Sequence, residues 1–353
     1  MMLAMLALAA ACVRHATVSQ DFGLPGGITS PPTTQKTGAD STETNRQGTP
    51  LPGGSLQTIL HQQIQGAYDP FKDDPRIPML QNQLKLNPQN VDARLELAGV
   101  FEGYRLFDGG MEHYSEVLRL ILSTPESSGS QAEKAIMGLG RCAQAAGRAR
   151  EAIPLMETST QDWPGPNSWD ALGLLYDELG DHAAGERAFR EAVVLDGKSS
   201  RLHNNLGYNL LLQNRTEAAE SEFRSALELN PQSATTRNNL GVVLARRGDL
   251  QGAMEQFLQT PDVATAHNNL AVVLLETGQY ERSREELFKA LAMHPYFSPA
   301  LTNFKLVQER ICESVGTAKC GSRPALENGV RSVETPQNDG RRGAPASVDR
   351  SPN

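Results

Sequence analysis

From about residue 75 to about residue 312, apolar and small residues recur three and four positions apart, the spacing of one face of a helix, and the pattern itself returns. Trp169, Leu172, Gly173 and Tyr176 open one unit, which continues through Gly180, Gly185, Phe189 and Ala192. Thirty-four residues later come His203, Leu206, Gly207, Leu210, Ala219, Phe223, Ala226 and Pro231, and after the same interval Arg237, Leu240, Gly241, Leu244, Gly248, Ala253 and Phe257. The next copy follows after only thirty residues, as His267, Leu270, Ala271, Leu274, Gly278, Ser283, Leu287, Ala290 and Pro295, so the preceding unit lacks four residues of its second helix. Two weaker copies lie upstream: Ile136, Leu139, Gly140, Gly147, Ala152 and Met156, and before them Arg94, Leu97, Ala98, Phe101 and Tyr114. Leu80 to Pro88 reads as the end of a still earlier second helix, and Pro299 to Cys312 as a lone first helix.

A repeat of this length built from two helical stretches predicts an all-α solenoid of helical hairpins, in which each unit buries little alone and stacks on its neighbours to complete a core. Small residues at Gly173, Gly207 and Gly241, and at Ala219 and Ala253, let the two helices of a hairpin approach, and Phe189, Phe223 and Phe257 fill the junction with the next unit. Gly180, Gly248 and Gly278 permit the turn between helices, and Pro231 and Pro295 end helices. The lone helix after Pro299 caps the apolar edge of the stack. The residues of the unit that starts at Trp169 match the W-x2-L-G-x2-Y and A-x3-F signatures, with Gly185 in place of the usual alanine. The segment from 75 to 312 thus resembles the tetratricopeptide repeat, and the resemblance implies a solenoid that binds other polypeptides.

The flanks have no such pattern. Met1 to Ala11 is an apolar stretch ending in small residues before Cys12, and it resembles a bacterial lipoprotein signal in which that cysteine becomes the lipidated first residue. Ala9 stands where that family usually has leucine, and no Lys or Arg precedes the run. Residues 1–12 are therefore expected to be an export signal with lipidation at Cys12, with a frayed apolar N-terminus as the alternative. The resemblance, with Val13 rather than aspartate after the cysteine, implies a membrane partnership through a lipid anchor, at the outer membrane facing the periplasm. A cytoplasmic location is the alternative. Residues 13–74, rich in Gly, Pro, Ser and Thr, and residues 313–353 cannot repay their ordering entropy, and they are expected to be a disordered tether and tail.

A net charge of −8 argues against a general hold on nucleic acid, which needs a basic face. The chain carries no nucleotide-binding, hydrolase or metalloprotease signature, and its seven histidines lack metal-ligand spacing, so no enzyme activity, metal or cofactor is expected. His203 and His267 occupy the position of Trp169 in their own repeats and are expected to stack at the repeat face. The many carboxylates read as solvated helix faces, and Cys142 as a small core residue. Cys312 and Cys320 could bond in an oxidising compartment, or remain free thiols in a reducing one.

One constellation points to binding. Asn205, Asn239, Asn269 and, in the cap, Asn303 fill the sixth position of successive repeats, and Asn204, Asn238 and Asn268 fill the fifth. The period places these amides along one stripe facing a groove, where each offers a donor and an acceptor to the backbone of an extended peptide. The stripe resembles the asparagine ladder of the protein O-linked sugar transferase, whose catalytic domain has no counterpart here. The alternative is that each asparagine bonds within its own repeat. A clamp for acidic chaperone tails would need Lys and Arg at these positions, and they are absent. The layout as a whole resembles the tetratricopeptide lipoproteins of tight-adherence (Flp-type) pilus assembly. It implies a non-catalytic envelope scaffold, with outer-membrane protein or secretin assembly, or a cytosolic adaptor or co-chaperone, as alternatives.

Overall fold

The computed structural model describes residues 70–123, 129–259 and 262–315. Cys12, Cys320, the expected signal and tail, and all of the tether up to residue 69 lie outside the described residues. A short turn, α1 (Pro70–Asp73), and α2 (Arg76–Leu86) lead into six hairpins. These are α3 and α4 (Val91–Gly103, Phe107–Leu122), α5 and α6 (Gly129–Ala146, Ala149–Asp162), and α7 and α8 (Pro166–Leu179, His182–Leu195). They continue with α9 and α10 (Ser200–Leu212, Thr216–Leu229), α11 and α12 (Ala234–Arg246, Leu250–Phe257), and α13 and α14 (Val263–Glu276, Tyr280–Met293). The last helix, α15 (Ser298–Val315), has no second helix after it among the described residues.

The local reasons for these bounds are visible in the caps. Asn90, Asp181 and Asp249 accept hydrogen bonds from the backbone N–H three residues on, at 3.0, 3.0 and 2.9 Å, and so satisfy donors that the first turn of a helix leaves open. Gly180, Gly248 and Gly278 take φ of 80°, 91° and 76° between the helices of their hairpins, the left-handed conformation expected of them. The four missing residues shorten α12 to 8 residues against 14 in α10. Helix α1 and Asp74 fall within the stretch expected to be tether, and Asp74 ties that stretch to the first hairpin. Its carboxylate is buried, receives Arg76 at 2.6 Å and the Tyr104 hydroxyl at 2.8 Å, and is held well below its usual pKa, chiefly by Arg76.

Successive first helices pack on one another along the described stack, α3 on α5, α5 on α7 and so on to α13 on α15, whereas among the described second helices close packing of this kind is found at α4 and α6. A stack whose first helices crowd while its second helices splay curves with the first helices on its inner, concave side. The core runs through the hairpin junctions, where Phe189, Phe223 and Phe257 are buried against the next first helix, with Leu206 and Leu210, Leu240 and Val243, and Leu270 and Val273. No described helix is long and apolar enough to cross a membrane.

Candidate functional site

The amide stripe exists, but its side chains are directed along the stack. Asn239 Nδ2 donates to Asn204 Oδ1 at 3.0 Å, Asn269 to Asn238 at 2.7 Å and Asn303 to Asn268 at 2.9 Å. Asn205 donates to Asp170 Oδ1 at 2.8 Å, so Asp170 takes the part that asparagine plays later. In each case the sixth position of one repeat donates to the fifth position of the repeat before. The result is a chain of rungs between α7, α9, α11, α13 and α15. The bond within a single repeat, the alternative the sequence left open, also occurs, as Asn204 Nδ2 donates to Asn205 Oδ1 at 3.4 Å, beside the shorter bonds between repeats.

Burial divides the stripe. Asn239 is fully buried and Asn303 is 5% exposed, while Asn205 and Asn269 remain half-buried at the inner surface. The fifth-position residues Asn204, Asn238 and Asn268, expected to face the groove, are buried as acceptors, because the next first helix lies directly over them. Asn239 Oδ1 is buried without a protein partner. Buried amides of this kind hold the register between repeats, since losing a partner inside leaves a desolvated polar group.

The carboxylates correct the expectation of solvated faces. Asp170 is 2% exposed, paired through Oδ2 with Arg201, whose other nitrogen reaches Asn167 Oδ1 at 2.6 Å. Asn167 in turn donates to Glu133 at 3.0 Å, which carries the network back to α5. Burial pushes the Asp170 carboxyl up from its usual pKa, against the pull of Arg201 and Asn205. Asp177, also buried, receives Asn209 Nδ2 at 2.6 Å and contacts His182 Nδ1 at 2.9 Å. This explains Gly185, because a Cβ there would lie 2.9 Å from both Asn209 Nδ2 and Asp177 Oδ1. Upstream, Arg141 of α5 grips Glu102 of α3 through two nitrogens at 2.5 and 2.9 Å, and the Tyr114 hydroxyl donates to the same carboxylate at 2.9 Å.

His203 and His267 bond to carboxylates rather than stack. His203 Nδ1 lies 2.7 Å from Glu222, and His267 Nδ1 lies 2.6 Å from Glu286, each joining the first helix of a repeat to its second. Arg237, at the same position, makes the same connection to Gln256 at 3.2 Å. A ring nitrogen opposite a carboxylate gains more from that bond than from a stacked neighbour. Cys142 is buried and free, with its thiol pushed up to about 12 by burial and then by Glu102, which removes its nucleophilicity at neutral pH. Cys312, on α15, is disulfide-bonded, and its partner lies outside the described residues.

The arrangement therefore offers a curved inner surface with paired charges, two half-buried amides and the apolar side chains of Leu174, Tyr208 and Val272. It matches a known class. The tetratricopeptide repeat family model fits residues 137–200, 171–234, 204–260 and 256–296, so the repeats are tetratricopeptide repeats and the helical body is a solenoid of them, a fold that serves as a scaffold for protein–protein interaction. Over 175 residues the chain is 26% identical to the general transcriptional corepressor ssn6 of Schizosaccharomyces pombe, a match that covers 46% of this chain and 15% of that protein. Among solved structures it is similar to the APC/C hetero-tetramer Cut9–Hcn1, with 18% identity and a TM-score of 0.47 over 66% of this chain and 46% of that one. It is also similar to YrrB, described as a TPR protein with an unusual peptide-binding site, with 18% identity and a TM-score of 0.40 over 64% of this chain and 97% of that one.

Proposed function

We propose that this protein is a non-catalytic scaffold of the cell envelope that holds an extended polypeptide segment along the inner face of its solenoid, in the assembly of a pilus or secretion apparatus. The observation that carries the reading is the chemistry of that face. Arg141 is paired with Glu102, Arg201 with Asp170 and Arg246 with Glu276 at 3.0 Å, so the charges are spent within the protein. What remains at the surface is the second amide N–H of Asn205 and of Asn269, and the apolar side chains of Leu174, Tyr208 and Val272, all half-buried. A surface of this kind suits the backbone and uncharged side chains of a peptide without selecting a charged sequence.

The envelope location is supported by the apolar run before Cys12. The pilus or secretion role rests on the likeness of the whole layout to the pilus-assembly lipoproteins. Outer-membrane protein or secretin assembly would draw on the same ingredients. The corepressor likeness favours a second reading, a soluble adaptor that keeps its N-terminus.

Two measurements on native cells separate these. Intact mass and membrane fractionation, with Cys12→Ser alongside, should show loss of residues 1–11 and added lipid mass. A soluble chain that retains Met1 would leave only the adaptor reading. A photo-crosslinking residue at position 208, on the inner face, should form an adduct in the same cells that one at position 190, on an outer helix, does not. Equal labelling from both positions would remove the groove from the proposal.

A further inference from the structure

The amide stripe stops at α7, and the surface changes character there. The fifth and sixth positions of α7 are Asp170 and Ala171, and the fifth position of α5 is Met137. Without a long side chain at the sixth position, a cleft opens between α5 and α7. Met137, Gly140, Arg141 and Gln144 line it from one helix, with Ala171 and Leu174 from the other. Its floor is the close approach of the two helices, since a Cβ on Gly140 would lie 3.3 Å from the Ala171 methyl carbon.

Neither charge at this cleft is available to a ligand. Arg141 is gripped by Glu102, and Asp170 accepts from both Arg201 and Asn205. An ionised side chain placed here would lose water and find no uncommitted counter-charge, which is costly. An aliphatic one would meet the Met137 thioether, the Ala171 methyl and the Leu174 side chain. Gln144, half-buried at the rim, has an amide able to pair with the peptide backbone on either side of such a residue.

We infer that this cleft is an anchor subsite, taking one uncharged aliphatic side chain, of the leucine, isoleucine or methionine class, from the polypeptide that runs along the inner face. The inference rests on the groove reading given above and adds a register to it. The amide-bearing first helices from α9 to α13 tolerate varied sequence, and the cleft between α5 and α7 fixes which residue of the segment sits where. Seating the end of one such side chain contributes about tenfold in affinity.

The test uses the full-length chain as bait for a phage-displayed library of random dodecapeptides, with the enriched peptides synthesised and their affinities read by fluorescence anisotropy. Three variants accompany it: Ala171→Leu, which fills the cleft from within; Met137→Glu, which places a charge in its wall; and Tyr208→Ala, on the inner face one repeat away. Circular dichroism melting checks each fold, and if Ala171→Leu fails to fold, Met137→Glu carries the test. The expected result is a shared aliphatic position whose replacement by Glu costs at least about tenfold, a difference that Ala171→Leu and Met137→Glu both erase. Peptides weakened by Tyr208→Ala but lacking an aliphatic position, or indifferent to both cleft variants, would overturn the anchor and leave the groove. No enriched peptide, or binding untouched by all three variants, would overturn the groove reading and the anchor with it.

Discussion

Gly207 has no room for a methyl group. A Cβ built there would lie 2.8 Å from the ring of Phe223, which is fully buried and cannot retreat; the same contact recurs at Gly173 with Phe189 and at Gly241 with Phe257, at 2.7 and 2.6 Å. In an exposed helix, alanine is favoured over glycine by about 1 kcal/mol, but overpacking a closed core costs about 1–3 kcal/mol, so the second effect wins. Gly207→Ala is expected to lower unfolding stability by roughly 1–2 kcal/mol in urea titrations, and Phe223→Leu should make the alanine tolerable. Additive losses in the double variant would mean that the two residues do not meet. The opposite sign is expected at Arg105. It holds φ 60° at the interhelical turn where four later hairpins have a glycine, and among the described residues only Asn214, at φ 59°, shares that conformation without being one. Left-handed backbone costs a residue with a Cβ about 1–2 kcal/mol, part of which glycine returns as unfolded-state entropy. Arg105→Gly should therefore stabilise the fold by about 0.5–1 kcal/mol, and a lower urea midpoint would contradict that account of the turn.

Between elements, the outer side of the stack carries its own fastening. Glu186 of α8 accepts from Arg190 one turn on, at 2.8 Å, and from Arg215 of the next hairpin at 2.7 Å; Glu220 of α10 does the same with Arg224 and Arg247. Burial works to raise both carboxyls, but the arginines, with Gln213 beside Glu186, outweigh it and hold both below the usual 4.5. A carboxyl lowered in the folded state stabilises fully above its unfolded pKa, and that contribution is lost as pH falls through the folded value. The arginines are about half exposed, so each fastening is worth no more than about 1 kcal/mol. Glu186→Gln with Glu220→Gln should lower the urea midpoint at pH 7, and the gap to the unaltered chain should close as pH falls below 4.5; a gap constant with pH would show that charge is not involved. These pairs also mark what a sequence yields and what it withholds. The hairpins, the shortened α12 and the cap were legible, because helical spacing, turn glycines and the thirty-four-residue return all report backbone events within one unit. The asparagines were legible as a stripe but not in the direction of their amides, which depends on how far one first helix slides over the next. The signal was present in the period, since fifth and sixth positions of adjoining repeats stand one residue more than a repeat apart. Asp170, Arg201, Arg141 and Glu102 were missed because abundant carboxylates give no local sign of which ones a neighbouring helix covers.

At the scale of the molecule, a solenoid must end somewhere, and each end exposes the surface that the next repeat would have covered. Among the described residues the N-terminal end is covered by α2, which buries Ile77 and Leu80 against Leu97 and Phe101 of the first hairpin. The C-terminal end is closed by α15, whose Ala300, Phe304 and Val307 pack on Ala271, Leu287, Ala290 and Leu291. Helix α15 also supplies the last rung of the amide chain, from Asn303 to Asn268, so its removal would bare an apolar edge and leave a buried acceptor without its donor. Such an edge has a ready complement in the same edge of a second copy, since both are apolar and are bared together. A chain that stops after His294 should therefore self-associate at concentrations where the full chain does not, with its added mass read by light scattering after size exclusion. Phe304→Asp, which keeps the helix and spoils its apolar face, should do so more weakly. If the shortened chain stays monomeric and melts at the same temperature, then α15 is not what closes the stack, and the apolar face of α13 and α14 is stable in water by itself.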